Sequence, residues 1–86
     1  MENTSVVLTD PSAETVWARV LDHARHDLAD SSFNMWFADV RAQAFRSGVL
    51  ELVAPSEYVR DWLAKNYVEL IRGAAEEMRL WRIGAP

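Results

Sequence analysis

The chain has 86 residues, 50% of them hydrophobic and 26% charged, values of one small folded domain rather than of a disordered chain. Folding at this length removes roughly 60 to 68% of the unfolded chain's surface from water, enough for a modest core. There is no cysteine, so disulfides and thiolate metal sites are excluded, and a net charge of -4 argues against tight nonspecific binding to a phosphate backbone.

The opening stretch MENTSVVLTDPSAET lacks a basic n-region and a continuous apolar h-region, and no apolar run approaches the roughly 18 residues of a membrane span. A cytoplasmic protein with no membrane partner is expected. Residues 1–9 show no helical period and are expected to form a flexible arm, although VVLT has the composition to join a sheet edge. The ordered domain is expected over residues 10–83.

The first helix is expected to open at Asp10-Pro11, with Ser12 as an alternative cap two residues on. Ala13, Trp17, Val20, Leu21, Ala24 and Leu28 then recur at steps of three and four, which puts them on one face. In ADSSFNMWFADV, Ser31 or Ser32 is expected to cap a short second helix that buries Phe33, Trp36 and Phe37. VRAQAFR and VLELVA alternate around Ser47-Gly48 and read as a β-hairpin, with Val40, Ala42 and Ala44 on one face and Leu50, Leu52 and Ala54 on another. Pro55 stops the second strand. Ser56 then caps a long helix with Val59, Trp62, Leu63, Tyr67, Leu70, Ile71, Ala74 and Met78 as its apolar positions, loosening anywhere from Gly73 to Met78. RLWRI, residues 79–83, alternates like a third strand, and residues 84–86, Gly-Ala-Pro, resemble the start of a linker. The order helix, helix, strand, strand, helix, strand predicts an α+β domain with helices packed on a small three-stranded sheet.

No catalytic constellation is found. Only Gly48, Gly73 and Gly84 are present, which excludes glycine-rich phosphate loops and dinucleotide fingerprints. His23 and His26 beside Asp22 and Asp27 have a spacing that brings two ligands together, but they sit on the polar face and lack the further ligands and buried surroundings a metal needs. No serine has a base positioned for nucleophilic attack, and Glu76 and Glu77, adjacent in sequence, diverge. The expectation is a domain that is not an enzyme and holds no metal or cofactor. The element order is also close to a KH arrangement, in which a Gly-x-x-Gly loop clamps nucleic acid. Here the corresponding connection, LADSSF, has no glycine, so single-stranded DNA binding is expected to be weak at most.

Phe33, Trp36 and Phe37, then Ala54, Pro55, Tyr58, Val59, Asp61 and Trp62, then Tyr67 form a pattern of specific spacing within VWARVL, SSFNMWF and LELVAPSEYVRDWLAKNYVELI. With these stretches the chain resembles the N-terminal domain (domain I) of bacterial replication initiators of the DnaA family, over residues 17–71. The resemblance implies a KH-like module that serves as a hub for protein contacts in replication initiation, without binding ATP or the origin duplex itself. Implied partners are a second copy of the initiator, the replicative helicase of DnaB type and initiation regulators. By family pattern, self-association falls on Trp17, and helicase or regulator contacts fall on Ser32 and Tyr58. Some relatives carry Glu where Ser32 stands.

Helical geometry bears on these residues independently. At about 100° per residue, Tyr58 lies roughly 130° and Trp62 about 95° from the centre of the long helix's apolar stripe. Tyr58 is therefore expected to face out and Trp62 to sit on the shoulder, so that the two form a joined patch suited to partner contact, which the resemblance implies is with the helicase or a regulator. Trp17 lies near the middle of its stripe and reads as core or, near the helix start, as a dimer contact. Two rival readings are a KH-like single-strand binder using Arg41, Arg46, Arg60 and Lys65, and a free-standing relative that regulates an initiator.

Overall fold

The computed structural model describes residues 11–86, so the expectations for the arm and for an Asp10 cap lie outside the described residues. Helix α1 spans Ala13–Asp27. Ser12 caps it, its Oγ accepting the Thr15 amide at 3.1 Å and so satisfying one amide of the first turn. Its buried residues are Val16, Trp17, Val20 and Ala24. The step-counted stripe omitted Val16, which is fully buried.

Helix α2 spans Asp30–Trp36, and its N-cap position is Ala29, with no side-chain cap. Ser31 and Ser32 therefore lie inside the helix, and neither is the cap expected of it. The Asp30 carboxylate, in the first turn, instead stands near the positive end of the helix. This earlier start brings Phe33, Trp36 and Phe37 into the core together.

Strands β1 (Arg41–Arg46) and β2 (Val49–Val53) form the expected antiparallel hairpin. Ser47 and Gly48 both have positive φ, 52° and 79°, the backbone of a two-residue turn whose twist matches its strands. A bulge interrupts the register between Ala42 and Ala44. The extra residue, Gln43, reverses the alternation beyond it, so Phe45 rather than Ala44 enters the core, opposite Leu50.

The expected long helix is two helices. Helix α3 spans Glu57–Asn66 and α4 spans Val68–Arg72, and Tyr67 between them leaves helical geometry at φ -121°, ψ 22°. The Asn66 side chain donates to the Trp62 carbonyl at 3.1 Å, a local bond that competes with helix continuation. The break turns Tyr67 edge-on to Phe37, with ring centroids 5.3 Å apart, and leaves Ile71 fully buried. Helix α4 ends before Gly73, and β3 (Leu80–Gly84) follows an irregular segment that still buries Ala75 and Met78.

Strand β3 pairs parallel with β2, giving among the described residues the order β1-β2-β3 with β1 and β3 at the edges. The parallel neighbour requires a crossover, which α3 and α4 supply. Helix α1 packs mainly over β1, and α3 and α4 pack over β3. The result is an α+β domain with its helices on one face of a three-stranded sheet. The core between the layers centres on Phe37, Leu50, Leu52, Leu63 and Ile71. No helix among the described residues is long and apolar enough to cross a membrane.

Candidate protein-interaction site

Pro55 and Ser56 set the direction in which α3 leaves the sheet. The Ser56 Oγ accepts the Val59 amide at 3.3 Å, which caps the helix. Leu63 is then fully buried and Val59 half-buried, so the side of α3 carrying Tyr58, Asp61 and Trp62 faces outward. Tyr58 is 70% exposed and Trp62 38%.

Beneath both lies Trp36 of α2, only 8% exposed. Its ring stacks on Trp62 at 4.6 Å between centroids with the planes 11° apart, and meets Tyr58 at 5.6 Å with a 48° tilt. Trp36 thus couples the core to the surface. A partner that covers Tyr58 meets a ring that already packs on Trp36, which lowers the side-chain freedom lost on binding. Met35, next to Trp36, is 65% exposed and enlarges the apolar surface on α2. Ser32, half-buried, stands one turn before Trp36 on the same side of that helix. At the rim, Arg60 Nε bonds Asp61 Oδ1 at 2.9 Å, and this bond, with the charge behind it, raises the guanidinium pKa further above its ordinary value.

Three of the four residues expected at sites, Ser32, Tyr58 and Trp62, are therefore carried by the packed pair α2 and α3. Trp17 is elsewhere. It lies in the core, 6% exposed and stacked on Phe37 at 6.2 Å, and Phe37 in turn stacks on Phe33 at 5.8 Å. Met35 and the supporting role of Trp36 were missed by sequence reasoning. The i, i+3 and i, i+4 relation of Ser32 to Met35 and Trp36 is the signal that links them.

His23 and His26 line a shallow surface on α1 with Arg19 and Asp22, and His23 Nε2 lies 3.4 Å from Asp27 Oδ2. Arg25 stands over the Phe33 ring at 4.7 Å, a cation–π contact joining α1 to α2. Arg19 pairs with Glu77 and ties α1 to the segment after α4. The hydrogen bond from Arg19 holds the Glu77 carboxyl below its ordinary pKa. Among the described residues no group of three or more His, Cys, Asp or Glu converges in a way that holds a metal ion.

Residues 14–77, from α1 to beyond α4, match the model of the DnaA N-terminal domain. The chromosomal replication initiator proteins DnaA of two strains of Thermus thermophilus are each 40% identical to the chain over 63 residues, 73% of its length. The chain spans 14% of the length of these relatives. With matched residues that include nearly all of α1, both helices of the aromatic site and the hairpin, the chain belongs to the DnaA N-terminal domain family.

Proposed function

We propose that this domain is the protein-interaction module of a replication initiator, and that the Trp36, Tyr58 and Trp62 surface receives the replicative helicase and regulators of initiation. One observation carries the reading. Tyr58 is 70% exposed yet held by a buried tryptophan, the arrangement of an interface anchor rather than of a core residue. Ser32 and Met35 extend the surface, and contacts on α2 and α3 together orient a partner.

Self-association is assigned to the start of α1, where half-buried Ala13 and Leu21 flank Trp17, which itself belongs to the core at 6% exposure. In this reading the domain needs no cofactor, performs no catalysis of its own, and acts in the cytoplasm with the rest of the initiation machinery. Single-stranded DNA takes second place as a ligand: Arg60, one of the candidate phosphate contacts, is engaged with Asp61 in a chain of net charge -4.

The test is binding of a purified DnaB-type helicase to the parent chain and to Tyr58→Ala, with thermal unfolding of both recorded in the same buffer. Weaker binding at nearly unchanged stability supports the reading. Equal binding removes Tyr58 from the site.

A further inference from the structure

On the other side of α3 and α4, a groove of about 460 Å³ separates these helices from β3. Ala64, Val68 and Arg72, at successive four-residue steps that continue across the helix break, form one wall, and residues 79–83 form the other, with Trp81 and Ile83 turned to the helix side and Leu80 and Arg82 to the open face of the sheet. We propose that this groove takes an extended acidic peptide from a partner protein, which pairs with β3 as a fourth strand. This goes beyond the aromatic site and does not depend on it.

The first argument is the backbone. The Leu80 amide donates to the Gly48 carbonyl at 3.2 Å, and the Gly84 carbonyl accepts the Ala54 amide at 2.8 Å. Alternate residues of a parallel strand turn their hydrogen-bonding groups to the same side, so Leu80, Arg82 and Gly84 engage β2, while Trp81 and Ile83 present theirs to the edge that is unpaired among the described residues. An extended peptide supplies matching donors and acceptors at strand spacing. Five residues of β3 suit a segment of similar length.

The second argument is charge. Among the described residues three arginines and no carboxylate line the groove, and Glu51 stands opposite Arg82 on the open face of the sheet. The nearest carboxylate to Arg72 is Glu69, 3.9 Å away, and both side chains are largely exposed, so this pair competes weakly with an incoming acid. Among the described residues neither Arg79 nor Arg82 has a carboxylate within 4.0 Å. Arg79 is also positioned by the hairpin turn. Its amide donates to the Gly48 carbonyl at 2.7 Å, and its side chain crosses Gly48 so closely that a Cβ there would come 2.9 Å from Nε. Apolar surface on the helix side comes from Val68, 36% exposed, with half-buried Trp81 and Ile83, while Arg82 lies on the opposite face, which suits a segment alternating acidic and apolar residues.

A peptide fits better than nucleic acid. The aromatic residue in the wall, Trp81, is half-buried and offers no open face for a base, and a phosphodiester chain lacks the alternating groups that a strand edge reads.

The test uses the 86-residue chain, isotope-labelled, titrated with an acetylated and amidated heptapeptide that alternates glutamate and valine. Expected are amide shift changes concentrated at residues 80–83, an affinity that falls with added salt, and at least tenfold weaker binding for Arg79→Glu combined with Arg82→Glu. The same peptide N-methylated at alternate residues, which removes the donors facing β3, is expected to lose at least tenfold as well. That comparison leaves the protein untouched and stands even if the charge-reversed variant misfolds. Tyr58→Ala is expected to bind the peptide normally. Absence of saturable binding at millimolar peptide, equal binding of the N-methylated form, or tighter binding of a single-stranded oligonucleotide at the same amides overturns the proposal.

Discussion

Replacing Trp36 with alanine probes the junction between the core and the proposed interface. The residue is 8% exposed, so nearly all of its side chain leaves water on folding, and removing a buried large aromatic costs about 3 to 5 kcal/mol. Two ring contacts go with it, to Trp62 at 4.6 Å and to Tyr58 at 5.6 Å, each worth roughly 0.5 to 1.5 kcal/mol beyond burial, which places the expected loss in the upper part of that range. A chain of 86 residues has a total stability of about 4 to 13 kcal/mol at roughly 0.05 to 0.15 kcal/mol per residue, so Trp36→Ala is expected to lie close to unfolding. Urea denaturation followed by far-ultraviolet circular dichroism measures the loss, with the slope compared between variants to verify that the same transition is read. Trp36→Phe keeps an apolar ring and is expected to fold, yet to bind partners less well because Tyr58 and Trp62 lose the broad indole surface between them. A loss within about 1 kcal/mol for Trp36→Ala refutes the reasoning, since it would mean that the ring neither fills the core nor supports the surface.

Two further outcomes test separate parts of the structure. Phe45→Ala is expected to cost about 3 to 5 kcal/mol and Ala44→Ser less than about 1 kcal/mol in the same denaturation assay; the reverse order would show that the strand continues without its bulge. Because the Glu77 carboxyl is held below its ordinary value of 4.5, its pair with Arg19 contributes fully above that pH and is lost as pH falls through the lower folded value. The melting temperature of the parent should therefore drop more steeply than that of Arg19→Ala below about pH 4.5, and parallel curves would show that the pair adds nothing.

Much of this domain can be read from side-chain spacing, and the exceptions have local causes. The hairpin, the outward Tyr58 and the shoulder position of Trp62 follow from periodicity, because each depends on one element and its direction. Gln43 was opaque because a bulge leaves no mark in a run of small and polar residues, and it alone decides whether Ala44 or Phe45 is inside. The break at Tyr67 was hidden by an apolar period that runs on through Ile71, while it is accompanied by a side-chain bond from Asn66 to the Trp62 carbonyl. Ser31 and Ser32 looked like caps by residue type, but the burial of Phe33 and Phe37 together set the helix start earlier. The stack of Trp36 under Tyr58 and Trp62 joins residues 22 and 26 positions apart, a tertiary contact that no single helical wheel contains. Likewise, the arginine groove exists only because β3 returns beside β2 and α3 and α4 cross over it.

The most direct test of the interface is the affinity of Tyr58→Ala for a DnaB-type helicase, measured by calorimetric titration beside the parent chain and paired with the melting temperature of each. At an interface anchor the affinity is expected to fall at least tenfold, about 1.4 kcal/mol, while the single exposed ring contact limits the stability change to about 1 kcal/mol. Affinity equal to the parent's, or a loss of binding that merely follows a collapse in melting temperature, would contradict the assignment of this surface.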